Sequence, residues 1–299
     1  MWLTLTCLSA LLLGCYDISK KKAVDGNAVL PTLFATTLTA ALAMAPLLLL
    51  AALAPERAAA WHVAIPPQDL SAHGLILLKS SLVGCSWMLS YAALKHLPLS
   101  VATPLRATGP LFTVVGAVVL FGERPTSHQW AGIALILAAY LAYSAGARKR
   151  GPEERPHWPY LLMMIGAAIS GALSAGFDKY LLQTRGLPPL FVLGYFLPYL
   201  AAQLGIALLI VRRPGQGPHA PFSLRPSMAL VGLFLVAADA LYMTALAQPE
   251  ARLAVVTAIR RTNVLVSVAG GALIFREHFT LARALPLGAI LAGLGLLLF

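Results

Sequence analysis

The sequence "VATPLRATGPLFTVVGAVVLFGERPT", residues 101–126, returns 154 residues later as "VVTAIRRTNVLVSVAGGALIFREHFT", residues 255–280. Ten of the 26 aligned positions are identical without a gap. In the first copy they are Val101, Thr103, Arg106, Thr108, Leu111, Val114, Gly116, Phe121, Glu123 and Thr126. A weaker similarity joins "GCYD" at 14–17 with "AGFD" at 175–178. The ten identities at a fixed separation of 154 residues indicate that the chain is an internal duplication of one structural unit.

The composition places both copies in a membrane. Only 11% of the residues are charged and the mean hydropathy is +0.79, whereas soluble domains carry roughly 25% charged residues. Apolar stretches of about 20 residues, long enough to cross a hydrocarbon core of ~30 Å, recur along the chain. The net charge of +11 comes from basic residues that lie mostly in short connections, which is typical of membrane proteins. We therefore predict an all-α integral membrane protein with no nucleic-acid partner.

Apolar runs interrupted by Pro, Gly and charged residues predict ten transmembrane helices. Their ranges are 2–24, 28–53, 73–96, 99–121, 126–146, 159–183, 188–211, 226–247, 252–275 and 281–299. The polar connection 147–158 separates a first five-helix repeat, 1–146, from a second, 159–299. Corresponding helices are an odd number of spans apart, so the second repeat has inverted topology. Such repeats place the binding site near the midplane and alternate its access between the two sides.

The Lys and Arg residues are distributed unequally between the two sides of this arrangement. The connections that follow helices one, three, five, seven and nine hold thirteen of them, and the alternate connections hold four. The positive-inside rule therefore predicts that both termini lie outside. The N-terminal segment lacks a basic region and an A-x-A cleavage site, so we expect it to remain as the first helix.

Two arginines at equivalent positions of the repeat are the main candidates for function. Arg106 lies about 11 Å inside its predicted helix at 1.5 Å per residue, and Arg260 lies at the equivalent depth. A charge at the centre of a bilayer costs roughly 2.5–3.5 kcal/mol. Forked guanidinium donors suit carboxylate or phosphate, so the pair predicts a cavity for an anionic group.

Hydroxyl groups flank both arginines at helical spacing. The stripes are Thr103, Arg106, Pro110 and Thr113 in the first copy, and Thr257, Arg260, Val264 and Ser267 in the second. Each stripe lies on one face of its helix. The other candidate substrate-binding residues are Arg261, Asn263, Trp87, Tyr91 and Tyr242.

Three acidic residues inside predicted spans leave a structural alternative open. Asp17, Asp178 and Asp239 are candidates for proton coupling, and each could also pair with an arginine as an internal ion pair. The predicted spans hold five cations, Lys79, Arg106, Lys179, Arg260 and Arg261, against these three acids. The excess of positive charge favours an anionic substrate over a cationic drug.

The duplication, the ten predicted helices and "Gly-Glu-Arg-Pro" at 122–125 resemble the EamA-type transporters of the drug/metabolite transporter superfamily. The resemblance extends over essentially the whole chain, with "GAVVLFGERPTSHQWAGIALILAAYLAYS" and "GGALIFREHFTLARALPLGAILAGLGLLL" as its best segments. It implies a multi-pass protein of the bacterial inner membrane with both termini inside, opposite to the charge distribution. Arginines in the middle of helices four and nine are not a general feature of that superfamily.

These observations favour a secondary transporter that moves a small anionic or zwitterionic metabolite by alternating access. The alternative is a flippase for an anionic lipid or an isoprenoid-phosphate carrier. An intramembrane lipid-processing enzyme is a minor alternative, because no nucleophile–base pair, metal cluster or nucleotide motif is present. We expect no metal and no cofactor, a coupling proton or counter-substrate, and a monomer or homodimer.

Overall fold

The computed structural model describes residues 1–61, 63–94, 96–97, 105–146, 158–211, 222–274 and 281–298. Within these ranges every regular element is a helix. The helices are α1 (Trp2–Val24), α2 (Val29–Leu53), α3 (Pro55–Ala60), α4 (Leu70–Leu94), α5 (Gly109–Phe121), α6 (Ser127–Gly146), α7 (Trp158–Lys179), α8 (Pro189–Val211), α9 (Pro226–Leu246), α10 (Leu253–Arg260), α11 (Asn263–Ile274) and α12 (Leu281–Leu298). One π-helical turn, Tyr180–Thr184, extends α7.

The chain is a multi-pass membrane protein. Among the described residues, seven helical segments are long and apolar enough to cross a bilayer. Three shorter apolar helices, Leu105–Phe121, Ser127–Ala142 and Leu285–Leu298, lie at the remaining predicted positions. The prediction of ten crossings in two inverted sets of five therefore stays a prediction. The short helix α3 lies in the connection between the second and third predicted helices.

Helix breaks occur at equivalent positions of the two repeats. The predicted continuous helix 252–275 is divided at Arg261 and Thr262, and a turn at Thr108 separates residues 105–107 from α5. The Thr108 hydroxyl donates to the carbonyl of Leu105 at 2.6 Å, and the Thr262 hydroxyl donates to the equivalent Ile259 carbonyl at 2.8 Å. Each threonine N–H also bonds the same carbonyl three residues earlier. Both breaks are thus single tightened turns, which the hydrophobic pattern does not reveal.

The extensive helix contacts among the described residues run between the two halves of the chain. Helix α1 packs against α9 and α11, α2 against α8 and α9, α4 against α7 and α8, and α6 against α12. Helices α6 and α12 approach closely at Gly132 and Gly293, where an added Cβ on Gly132 would lie 2.9 Å from the Gly293 carbonyl oxygen. Small residues at such crossings are typical of helix packing in membranes.

The motif Gly-Glu-Arg-Pro joins the first half of the chain to the second. Gly122 ends α5 in the left-handed region, with φ of 61°, and this conformation favours glycine. The next residue, Glu123, accepts the backbone N–H of Leu253 at 2.5 Å and of Ala254 at 3.0 Å. Its carboxylate also pairs with Lys179 at 2.6 Å. Glu123 therefore caps the N-terminus of α10, where a negative charge is favourable.

Candidate functional site

A polar cavity of about 340 Å³ lies between α1, α4, α5, α7, α9 and α10. Three arginines, Arg106, Arg260 and Arg261, line it. The other lining residues are Leu13, Ser86, Trp87, Ser90, Gly109, Thr113, Ala167, Ala168, Gly171, Ala172, Ala175, Tyr242 and Thr257. The Gly and Ala residues belong mainly to α7, and their small side chains leave the space open.

The cavity has an excess of positive charge. No Asp or Glu is among its described lining residues. The Nε atoms of Arg260 and Arg261 are buried and have no hydrogen-bond partner. In the part of the chain that the structure describes, Arg106 forms no ion pair. A buried donor without an acceptor costs about 1–3 kcal/mol, so the Nε groups of Arg260 and Arg261 are unsatisfied among the described residues, whereas Arg106 is exposed.

A second, smaller cavity of about 170 Å³ shares Arg260 and Tyr242 with the first. Arg260 donates to Asp239 at 2.7 Å, and its guanidinium carbon lies 4.1 Å from the centre of the Tyr242 ring. The Tyr242 hydroxyl donates to Asp178 at 3.3 Å, which in turn pairs with Lys79 at 2.5 Å. Two acids and two cations thus balance one another in this cavity, in contrast to the first.

Asp17 forms a separate contact between α1 and α11. Its carboxylate accepts the Asn263 side-chain amide at 2.6 Å and the Ser267 hydroxyl at 3.3 Å. Asn263 and Ser267, both candidate substrate residues, therefore bond to Asp17 and do not line the arginine cavity. The contact fixes the helix that follows the break at Thr262.

The structure brings most of the predicted substrate residues together. Arg106, Arg260, Arg261, Thr113, Thr257, Trp87 and Tyr242 line the first cavity, and Asp178 and Asp239 line the second. Thr103 lies outside the described residues, and Tyr91 is described only in its backbone, within α4. Sequence reasoning missed Ser86 and Ser90, one helical turn apart in the third predicted span. It counted Lys79 as an intramembrane charge without placing it beside the site.

Comparisons with known proteins agree with this architecture. Residues 1–145 match the EamA-like transporter family, a range that coincides with the first predicted repeat, 1–146. A crystal structure of a protein aligns over 96% of this chain and 96% of its own length, with a TM-score of 0.68 and 20% sequence identity. At that identity the alignment establishes a shared fold.

One curated relative is described as the probable 4-amino-4-deoxy-L-arabinose-phosphoundecaprenol flippase subunit ArnE of Pectobacterium atrosepticum. It is 41% identical over 64 residues, which are 21% of this chain. The chain spans 57% of the length of that relative. The match over residues 1–145 shows that this part of the chain is similar to the EamA-like transporter family, and the solved structure shows a shared fold over the whole length.

Proposed function

We propose that the protein is a secondary transporter whose substrate carries an anionic group that binds Arg106, Arg260 and Arg261. The observation that carries this proposal is the lining of the first cavity: three arginines, no acid among the described residues, and two buried Nε donors without acceptors. A carboxylate, phosphate or zwitterion supplies the missing acceptors, and a cation adds to the repulsion.

The equivalent breaks at Thr108 and Thr262 support transport by alternating access. Discontinuous helices at the interface of inverted repeats are the usual position of a transporter's binding site. Arg106 and Arg260 each lie two residues before the threonine of a break, one in each repeat, so rotation of one repeat against the other changes the position of one cation relative to the other. Asp239, which is bonded to Arg260, is the proposed site of a coupling proton.

Two substrate classes fit the arginine cavity: a small anionic metabolite, or the head group of a lipid-linked anion in the bacterial inner membrane. The similarity to a subunit named as a phosphoundecaprenol flippase favours the second class. Both classes share the anionic group, so the first experiment tests that group alone.

The experiment measures ligand-dependent thermal stabilisation of the purified protein in detergent. The probes are ethyl phosphate, butyrate, glycine and tetraethylammonium, so that anions, a zwitterion and a cation are compared. We expect an anion to stabilise the wild type. Substitution of Arg106→Gln, Arg260→Gln or Arg261→Gln should weaken that binding about tenfold or more, because a charge-assisted hydrogen bond contributes about 1.5–3 kcal/mol.

The matched control is Arg57→Gln, which removes the same charge from the exposed helix α3 outside the cavity. It should leave binding unchanged. Stabilisation by tetraethylammonium but by no anion contradicts the proposal. The same conclusion follows if the three cavity variants fold and bind anions as well as the Arg57 variant does.

A further inference from the structure

An apolar groove runs along the outside of the bundle between α5 and α7. Its volume is about 600 Å³, and Val119, Ile169, Leu173 and Phe177 are among its walls. Val119 is 72% exposed and Leu173 is 49% exposed. In a multi-pass membrane protein such residues face the hydrocarbon of the bilayer, so the groove opens sideways into the membrane.

The groove adjoins the arginine cavity. Thr113 of α5 and Ala172 of α7 line both spaces. Thr113 lies seven residues after Arg106, so the groove between α5 and α7 leads from the hydrocarbon to the arginine cavity. A neighbouring groove between α5 and α6 has a volume of about 500 Å³ and is equally apolar. It shares Val115 and Val119 with the first groove but no lining residue with the arginine cavity.

The groove between α5 and α7 is open beside Gly116 of α5. A Cβ added to Gly116 would meet no atom within 4 Å, so space and not close packing surrounds this position. Helices in membranes use glycine mainly where their backbones touch. Gly116 instead leaves room for an occupant.

We propose that this groove binds the apolar chain of the substrate while its anionic group occupies the arginine cavity. The substrate is then an amphiphilic anion, a long-chain phosphate or carboxylate, that enters sideways from the bilayer. This inference rests on the proposed function, because the arginine cavity holds the charged end. The two spaces match the two parts of such a molecule. The arginines compensate the anionic group for the water that it loses in the cavity, and the apolar chain stays in the apolar groove.

The test compares how strongly chain length affects binding in different variants. Ethyl phosphate and dodecyl phosphate are titrated against the protein in nanodiscs of uncharged lipid, and the ratio of their Kd values is measured. In the wild type we expect dodecyl phosphate to bind at least about tenfold more tightly, because burial of each methylene is favourable by about 0.8 kcal/mol. Gly116→Phe fills the groove, so it should abolish this advantage and leave the Kd of ethyl phosphate unchanged.

The control is Ala134→Phe, which fills the groove between α5 and α6. It should keep the wild-type ratio, and since partition of dodecyl phosphate into the bilayer is the same for every variant, partition alone cannot produce the difference. Leu173→Trp fills the same groove as Gly116→Phe, from the α7 side. If Gly116→Phe fails to fold, the ratio of Kd values is measured with Leu173→Trp instead.

Equal ratios in the wild type, the groove variants and the control overturn the inference. If ethyl phosphate still binds in that case, the arginine cavity and the proposed function stand. The inference is also overturned if Ala134→Phe loses the advantage of dodecyl phosphate over ethyl phosphate to the same extent as the groove variants. Absence of binding by either phosphate to the wild type overturns this inference, and it overturns the proposed function as well if butyrate and glycine also fail to bind.

Discussion

At the scale of single residues, Arg260 is the centre of the site. It is the only arginine among the described residues that lines both cavities. It forms an ion pair with Asp239, and its guanidinium group packs over the ring of Tyr242. One hydrogen bond to Asp239 leaves Nε free, so Arg260 can hold the acid and an anionic ligand at the same time. The charge on Asp239 nevertheless opposes the charge of an anionic ligand.

Substitution Asp239→Asn should therefore tighten anion binding. Asn keeps an oxygen that accepts from Arg260 but removes the negative charge, so we expect the Kd for ethyl sulfate to fall about three- to tenfold. Ethyl sulfate carries a single fixed charge, so the wild type and the variant are titrated with the same anion, and the thermal-stabilisation assay gives the Kd of each.

The control for this change is Asp69→Asn, which removes an acid outside the spans. Asp69 accepts the backbone N–H of Ala72 at 3.0 Å at the start of α4, and this hydrogen bond lowers the pKa of its carboxyl. The substitution Asp69→Asn should leave the Kd for ethyl sulfate unchanged. Weaker binding in a folded Asp239→Asn variant would show that the acid positions Arg260 and that its charge does not oppose the ligand.

At the scale of helices, the paired breaks decide where the arginines lie. Arg260 ends α10, and the single tightened turn after it redirects the chain into α11. Without the turn, all residues after 261 would rotate relative to α10, and the contacts of α11 with Asp17 would move away. The break also separates functions: α10 supplies Thr257 and Arg260 to the cavity, whereas Asn263 and Ser267 of α11 bind Asp17.

We expect Thr262→Val to straighten the helix and weaken anion binding about tenfold, because it removes the hydroxyl that bonds the Ile259 carbonyl and supports the turn. Thr262→Ser keeps the hydroxyl and should restore binding. Both variants are compared by thermal stabilisation with ethyl phosphate, and by their unfolding temperatures without ligand. Equal binding by the Val and Ser variants shows that the backbone alone maintains the break.

At the scale of the whole molecule, the two halves are not separate bodies. Helices of the first half pack mainly against helices of the second, for example α1 against α9 and α6 against α12. The cavity is shared in the same way, since Arg106 comes from one half and Arg260 from the other. Glu123 adds a further connection, because a residue of the first half caps α10 in the second.

We therefore expect residues 1–146 and 159–299, expressed as separate chains in the same cell, to co-purify and to bind ethyl phosphate. Either half expressed alone should be degraded, because its helices lack the surfaces against which they pack. Affinity capture through a tag on one half, followed by the thermal assay, measures both outcomes. A single half that folds and binds the anion contradicts this account of the assembly.

The membrane class and the presence of Arg106 and Arg260 in one cavity could be predicted from the sequence, because they depend on residue identity and spacing. The two-repeat organisation and the functional role of the two arginines stay predictions. Ten identities in 26 positions indicate duplication whatever the helices later contact, and a permanent cation in an apolar run is costly in any packing. The helix breaks could not be predicted in this way. Threonine at 108 and 262 is compatible with a continuous apolar helix, and only the hydrogen bonds show that both turns are tightened.

The partners of the buried charges depended on the tertiary structure. From sequence, each of Asp17, Asp178 and Asp239 could pair with an arginine, yet Asp239 binds Arg260, Asp178 binds Lys79 and Asp17 binds two neutral side chains. The sequence by itself determined which charges lie in the predicted apolar spans and that cations outnumber acids there. Only the packing of one half against the other decided which cations remain available to a ligand, because electrostatic pairing depends on distances of a few ångströms between helices far apart in the chain.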